Sequence, residues 1–269
     1  MSVYPNGDAE IFYQTHGSGP ALLLICGGPG VSAVYEGLTD RLTEEWTVIT
    51  YDLPGHARSR SRRDRDVTMG TEADIAAGLL THLGHDTAVV FGSSSGAVIG
   101  VDLLARHPAR VRALVVHEPP MIELLPDAPV WRRFYEEIIE ANARGDTDGA
   151  FARFMAEIDA GSGPGAGFRP PSVPPWSDGV VERAFFLRYV VPQVVGYQPD
   201  IARLTGTRVP IAVLAGAESQ SRFYARAAEE FAGRLGVASV RVPGAHLGYL
   251  MRPVEFATAL RAVLSDLVT

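Results

Sequence analysis

One G-x-S-x-G run, Gly92-Ser93-Ser94-Ser95-Gly96, lies between the apolar, β-branched stretch 87–91 and residues 97–106, whose apolar groups recur at helical spacing. A serine with glycines at ±2, set between a strand and a helix, has the parts of a nucleophile elbow. The turn is so tight that a Cβ at either ±2 position would clash, so both residues must be very small. That singles out one of three consecutive serines. Ser93 has Phe91 and Ser95 at ±2, Ser95 has Ser93 and Ala97, and only Ser94 has glycine on both sides. The chemistry would be attack of a hydroxyl on an acyl carbon. It requires an oxyanion hole, a histidine base and an acid to orient that histidine. A Gly/Ser-rich turn without chemistry is the plain alternative, and the rest of the chain must decide.

The apolar run 21–26 (A-L-L-L-I-C) reads as a buried strand, and Gly27-Gly28-Pro29-Gly30 follow it. A glycine-rich turn there lets a backbone N–H point inward. The candidate oxyanion donors are the N–H groups of Gly28 and of Ser95, at the start of the helix after the elbow. Near the C-terminus a short strand over 237–242 runs into Pro243-Gly244-Ala245-His246, ahead of a helix over 253–267. His246, in a Gly-rich loop after the last strand, is the candidate base. His82, His85 and His107 read as surface or capping residues near helix ends, and His16 lies in an early turn. His56, within Y-D-L-P-G-H-A-R-S (51–59), is expected to brace the floor of the site.

Taken in order, G-G-P-G, D-L-P-G-H-A-R-S, G-S-S-S-G and G-A-H-L-G-Y resemble the α/β-hydrolase fold over nearly the whole chain except its middle. The resemblance implies a mostly parallel, doubly wound sheet with a helical cap inserted after the sixth strand. One departure is Cys26-Gly27, where relatives usually have His-Gly. That histidine is structural in the family, so the change bears on loop bracing more than on catalysis. Cys26, the single cysteine, reads as a structural thiol because no histidine is placed to activate it.

The resemblance also frames the acid. Most relatives carry G-x-x-D after the strand before the base, but here the strand 210–215 continues Gly216-Ala217-Glu218-Ser219, with Ser219 at the expected aspartate. The preceding strand, 111–117, ends in H-E-P-P with Glu118. Adjacent strands lie about 4.8 Å apart, so an acid moved one strand nearer the elbow still reaches the same histidine. The 24 residues from Ser94 to Glu118 fit one helix and one strand. Haloalkane dehalogenases and zearalenone-type lactone hydrolases place a glutamate there. Glu118 is therefore the candidate acid and Glu218 the alternative. The wording G-S-S-S-G-A, V-V-H-E-P-P and P-G-A-H-L-G-Y resembles the zearalenone-type group. Ser94 stands where haloalkane dehalogenases and epoxide hydrolases need an aspartate, and Ser95 where prolyl aminopeptidases typically have tryptophan.

The elements that must position these groups split into a core, residues 1–118 and 209–269, and a helical cap, 119–208. Within the cap, 129–160 gives two amphipathic helices, with Trp131, Phe134, Ile138 and Ile139 on one and Phe151, Phe154, Met155 and Ile158 on the other. Residues 161–178 are too rich in glycine and proline for a helix, and 179–192 returns to helix. Most cap aromatics read as cap core. Trp176, in the Pro-rich loop, is the candidate pocket residue. The cluster Arg58, Arg60, Arg62, Arg63 and Arg65 reads as a solvated loop.

At 269 residues the chain suits one large domain, and a net charge of −7 gives no basic field for nucleic acid or membrane. The 24 basic residues are all arginine, which suggests a GC-rich bacterial genome. The first residues lack the n- and h-regions of a signal peptide, and no 18-residue apolar stretch occurs, so a soluble cytoplasmic protein is expected. No metal-ligand spacing is present, and no cofactor is expected. The resulting expectation is a serine hydrolase acting on a small hydrophobic ester or lactone, with a homodimer left open. The same triad could serve C–C, amide or thioester cleavage, or the fold could serve as a non-catalytic receptor.

Overall fold

The computed structural model describes residues 2–28, 30–62, 67–159 and 179–268. Eight strands form one sheet: β1 (Ser2–Asn6), β2 (Ala9–His16), β3 (Ala21–Ile25), β4 (Thr47–Tyr51), β5 (Ala88–Ser93), β6 (Val111–His117), β7 (Ile211–Gly216) and β8 (Ser239–Val242). Their spatial order is β1-β2-β4-β3-β5-β6-β7-β8. β1 and β2 pair antiparallel, as do β2 and β4, and every later pairing is parallel. The inner strands show why. Leu22–Ile25, Val89–Phe91 and Ala113–Val116 have no exposed surface, the continuous apolar run of strands covered on both faces. Each valine, leucine, isoleucine or phenylalanine among them contributes about 1.5–3 kcal/mol when removed from water.

The helices are α1 (Glu36–Thr39), α2 (Met69–His82), α3 (Ser95–Arg106), α4 (Ala128–Ala143), α5 (Thr147–Asp159), α6 (Gly179–Phe185), α7 (Val191–Val195), α8 (Ile201–Gly206), α9 (Phe223–Leu235), α10 (Gly248–Met251) and α11 (Pro253–Val268). Strand alternation sorts them onto two faces. Phe91 meets Phe256 of α11, and a Cβ on Gly100 of α3 would touch Val90 and Leu114 on the opposite face. The sheet is thus doubly wound, and the parallel order carries β5, β6 and β8 to one common edge of loops.

Residues between β6 and β7 hold α4 to α8. The helix expected over 179–192 is broken. α6 ends at Phe185, a π turn spans Phe186–Val190, and α7 follows with Pro192 in its first turn. Pro192 has no N–H to continue the ladder, and the wider turn absorbs the missing bond. Among the described residues no helix is long and apolar enough to cross a membrane.

Candidate active site

β5 runs to Ser93, Ser94 turns with φ +57 and ψ −126, and α3 begins at Ser95. A left-handed serine is strained, at a cost of about 1–3 kcal/mol, and persists only where its surroundings dictate it. Here they do. A Cβ on Gly92 would lie 2.3 Å from the carbonyl oxygen of Gly96, and one on Gly96 would lie 2.1 Å from that of Ile25. The Ser94 N–H donates to the His117 carbonyl at 3.0 Å, tying the elbow to β6. Ser95, first residue of α3, presents an N–H for which helix geometry offers no acceptor.

The loop after β3 lies against this elbow more closely than the run G-G-P-G conveyed. A Cβ on Gly27 would meet Ser94 Cβ at 2.7 Å and the Ser93 carbonyl oxygen at 2.6 Å, so glycine is required there as well as at Gly28, whose φ is +58. The loop is held from behind by Asp52, which is fully buried. Its carboxylate accepts from the Ser32 N–H at 2.8 Å, the Ser32 hydroxyl at 2.6 Å and the Arg58 Nε at 2.7 Å. The Leu53 N–H adds a bond to the Gly30 carbonyl at 2.8 Å. Arg58 thus departs from the solvated loop expected of the arginine cluster. Its guanidinium is drawn in by the buried carboxylate and lies 3.8 Å over the Phe12 ring, whereas Arg60 and Arg62 are exposed. Cys26 is buried, its thiol pushed well above the ordinary range by that burial, and its Sγ sits 3.7 Å from the Tyr51 carbonyl oxygen.

Glu118 follows β6 with φ +44, and its Oε2 lies 2.8 Å from Nδ1 of His246. Both side chains are buried. The other oxygen, Oε1, accepts from the Gly216 N–H at the end of β7 at 2.8 Å. Burial alone raises the carboxyl pKa. The bond to His246, the nearby imidazoles and the Ser219 hydroxyl outweigh it and hold the group at about 2. The Ser219 hydroxyl is buried beside it, close enough to favour the carboxylate but outside full hydrogen-bond geometry. Glu218 is elsewhere, in a half-exposed ion pair with Arg252.

His246 has two ring neighbours. Tyr224 of α9 packs against it tilted by 42°, at 4.3 Å between ring centroids, and the His117 ring lies nearly parallel at 6.2 Å. Neither neighbour was identified from sequence. Tyr224 carried no local signal, whereas His117 stood in the H-E-P-P run itself. Nδ1 of His117 is 2.9 Å from Ser93 Oγ. His56 is buried, its ring set edge-on to Phe185 at 5.3 Å, with Nδ1 at 3.2 Å from the Pro54 carbonyl oxygen.

Two apolar cavities meet at Ser94, sharing Phe154 and Ile158 of α5. One is bordered by Ser95, Pro120, Tyr135, Phe186 and Val191, the other by Gly28, Val34, His246 and Leu250. Phe154 and Ile158 thus face the site as well as packing between helices, where the sequence suggested cap core. Trp176 lies outside the described residues. Among those described, no group of three or more His, Cys, Asp or Glu side chains is arranged to hold a metal ion.

Residues 20–189 match the family model of the alpha/beta hydrolase fold. An uncharacterized hydrolase of Bacillus subtilis is 31% identical over 271 residues, covering 95% of this chain and 93% of that protein. Two further similarities span less than half of each chain. A putative carbamate hydrolase of Azorhizobium caulinodans is 33% identical over 113 residues, covering 41% of both chains. A zearalenone hydrolase of Bionectria ochroleuca is 32% identical over 120 residues, covering 43% of this chain and 45% of that one. A doubly wound sheet, a strained serine between two obligatory glycines and these matches together make this chain a member of the alpha/beta hydrolase fold family.

Proposed function

We propose that the chain is a cofactor-free serine hydrolase that cleaves a hydrophobic carboxylic ester or lactone through an acyl-enzyme. The observation that carries this is the convergence of Ser94, Gly28 and His246 on one apolar cavity, with Glu118 bonded to His246 from behind. Ser94 Oγ forms a bond to the carbonyl carbon while His246 takes its proton through Nε2, the nitrogen that Glu118 leaves free. The carbonyl oxygen takes up the electron pair and is met by the N–H groups of Gly28 and Ser95. The intermediate collapses, the alkoxide leaves with the proton held on His246, and water activated by the same ring releases the acid. In a lactone the alcohol end stays tethered to the acyl group. Residues 119–208 act as the cap, whose apolar side chains select the substrate.

The lactone reading draws support from the partial similarity to the zearalenone hydrolase, and the carbamate hydrolase match favours a second reading, cleavage of a carbamate or amide with the same residues. A panel of p-nitrophenyl esters, aryl lactones and carbamates separates the two. Burial of apolar surface should make kcat/KM rise with acyl size up to a limit. Ser94→Ala should lower kcat by roughly 10⁴ or more, and a fluorophosphonate should label Ser94. A panel in which acetates beat every larger ester, or labelling at another residue, refutes the proposal.

A further inference from the structure

His117 is fully buried and has no part in the proton transfers above. Its ring is enclosed by Phe91, Tyr249, Phe256 and the parallel ring of His246. A phenylalanine would fill this space without hiding two ring nitrogens, one of which, Nε2, meets no partner among the described residues. A buried unsatisfied nitrogen is a cost, so the benefit of an imidazole must lie at Nδ1, 2.9 Å from Ser93 Oγ.

That bond has a particular location. Ser93 and His117 are opposite one another in the β5–β6 register, and each is the last residue of its strand. The residue after each strand is Ser94 or Glu118, and both turn with positive φ, +57 and +44. The Ser94 N–H also donates to the His117 carbonyl. The two strands are therefore tied, by side chain and by backbone, at the last position before both turn into strained conformations. Those turns aim the hydroxyl and the carboxylate.

We propose that the Ser93–His117 hydrogen bond is a positioning clamp, holding the ends of β5 and β6 so that one His246 ring can serve both Ser94 and Glu118. This rests on the reading of those three residues as the catalytic triad. Neither member of the clamp borders the cavity, so both act through their neighbours. The titratable groups facing the ring are Glu118 just after its strand, His246 from the loop after β8 and Tyr249 from α10. Phe91 and Phe256 carry no charge. Burial pushes the imidazole down to about 4, with His246 adding to the effect against the pull of Glu118. The clamp is thus neutral at working pH and sets no second cation beside the imidazolium that forms on His246.

The test is a double-mutant cycle on p-nitrophenyl hexanoate near neutral pH, with the rate of fluorophosphonate labelling as a second readout. Misplacing reacting groups by a fraction of an ångström should lower kcat roughly tenfold in Ser93→Ala and in His117→Phe, with KM within about twofold. The double variant should fall no further than the worse single, since the two residues act as one unit. Ser93→Thr keeps the hydroxyl and should restore kcat to within about threefold of wild type. Labelling rates should follow kcat. Additive losses, a loss carried by KM, or Ser93→Ala at wild-type kcat overturns the clamp. If His117→Phe fails to fold by circular dichroism, the contrast between Ser93→Ala and Ser93→Thr decides alone. Ser94→Ala is assayed alongside. An active Ser94→Ala, or a wild type that neither turns over the ester nor reacts with the fluorophosphonate, overturns the triad reading and the clamp with it. An inactive Ser94→Ala beside a wild-type-like Ser93→Ala overturns the clamp only.

Discussion

Around the ends of β3, β5, β6, β7 and β8 the backbone is strained or crowded, whereas the described residues from α4 to α8 hold no positive φ outside glycine. Ser94 and Glu118 hold positive φ, and Gly27, Gly92, Gly96, Gly216 and Gly244 each sit where a Cβ would strike backbone within 2.8 Å. The helices α4 to α7 have ordinary geometry apart from the turn before Pro192, and they meet the site through apolar side chains such as Tyr135, Phe154 and Phe186. Rigid backbone places charge to a fraction of an ångström, which acyl transfer requires. Side-chain packing can be re-cut without moving those atoms, which substrate choice requires. On the proposed mechanism, rate belongs to the strand ends and selectivity to the helices.

The largest effect is expected at the forced end. On the proposed mechanism, Glu118→Gln keeps the shape but removes the charge that stabilises the imidazolium and permits the wrong tautomer. It should lose roughly 10³–10⁴ in kcat, while Glu218→Gln, in an exposed ion pair, should stay within roughly tenfold of wild type. The two variants should be assayed on one ester, with folding checked by circular dichroism. If Glu218→Gln is the inactive one, the acid lies on the usual strand and the assignment of Glu118 is wrong.

A smaller effect is expected from the helices. Phe154 borders both cavities, so Phe154→Leu should shift the preference between short and long acyl chains by roughly tenfold. Fluorophosphonate labelling of Ser94 should stay within about twofold, because the strand ends are untouched. An equal loss on every substrate, matched by slower labelling, would mean that α5 positions the nucleophile and that the division between rate and selectivity does not hold.

The same division explains what could be read in the sequence. The elbow was legible because its constraint is local, with three residues deciding which serine can occupy the turn. H-E-P-P drew attention to Glu118 because a carboxylate between an apolar strand and two prolines has no solvated role, and in the structure it meets His246. The histidine beside it gives no such signal, since its meaning depends on Ser93, 24 residues away, arriving opposite it in the sheet. Tyr224 over His246 and Phe154 between two cavities are likewise products of packing between distant elements. Arg58 departs from a solvated loop for the same reason: its partner Asp52 is near in sequence, but nothing local says that the carboxylate is buried.

The smallest effect concerns stability, and it asks whether the forced end carries a cost. Burial holds the His117 imidazole at about 4, below the ordinary 6.5, so the unfolded chain binds a proton there at a pH where the folded chain does not. A depressed histidine leaves stability intact above pH 6.5 and erodes it as pH falls from 6.5 toward 4. Glu118, held at about 2 against an ordinary 4.5, acts in a lower window, losing its contribution as pH falls from 4.5 toward 2. The upper window therefore reports His117. Urea unfolding of wild type and His117→Phe at a series of pH values isolates it, because the other histidines are common to both proteins. The wild type should lose ground to the variant by on the order of 1–3 kcal/mol between pH 6.5 and 4, with a limiting slope of about 1.4 kcal/mol per pH unit. A difference that stays flat across that range would show that His117 titrates normally and that the strand ends are more open to water than their packing indicates.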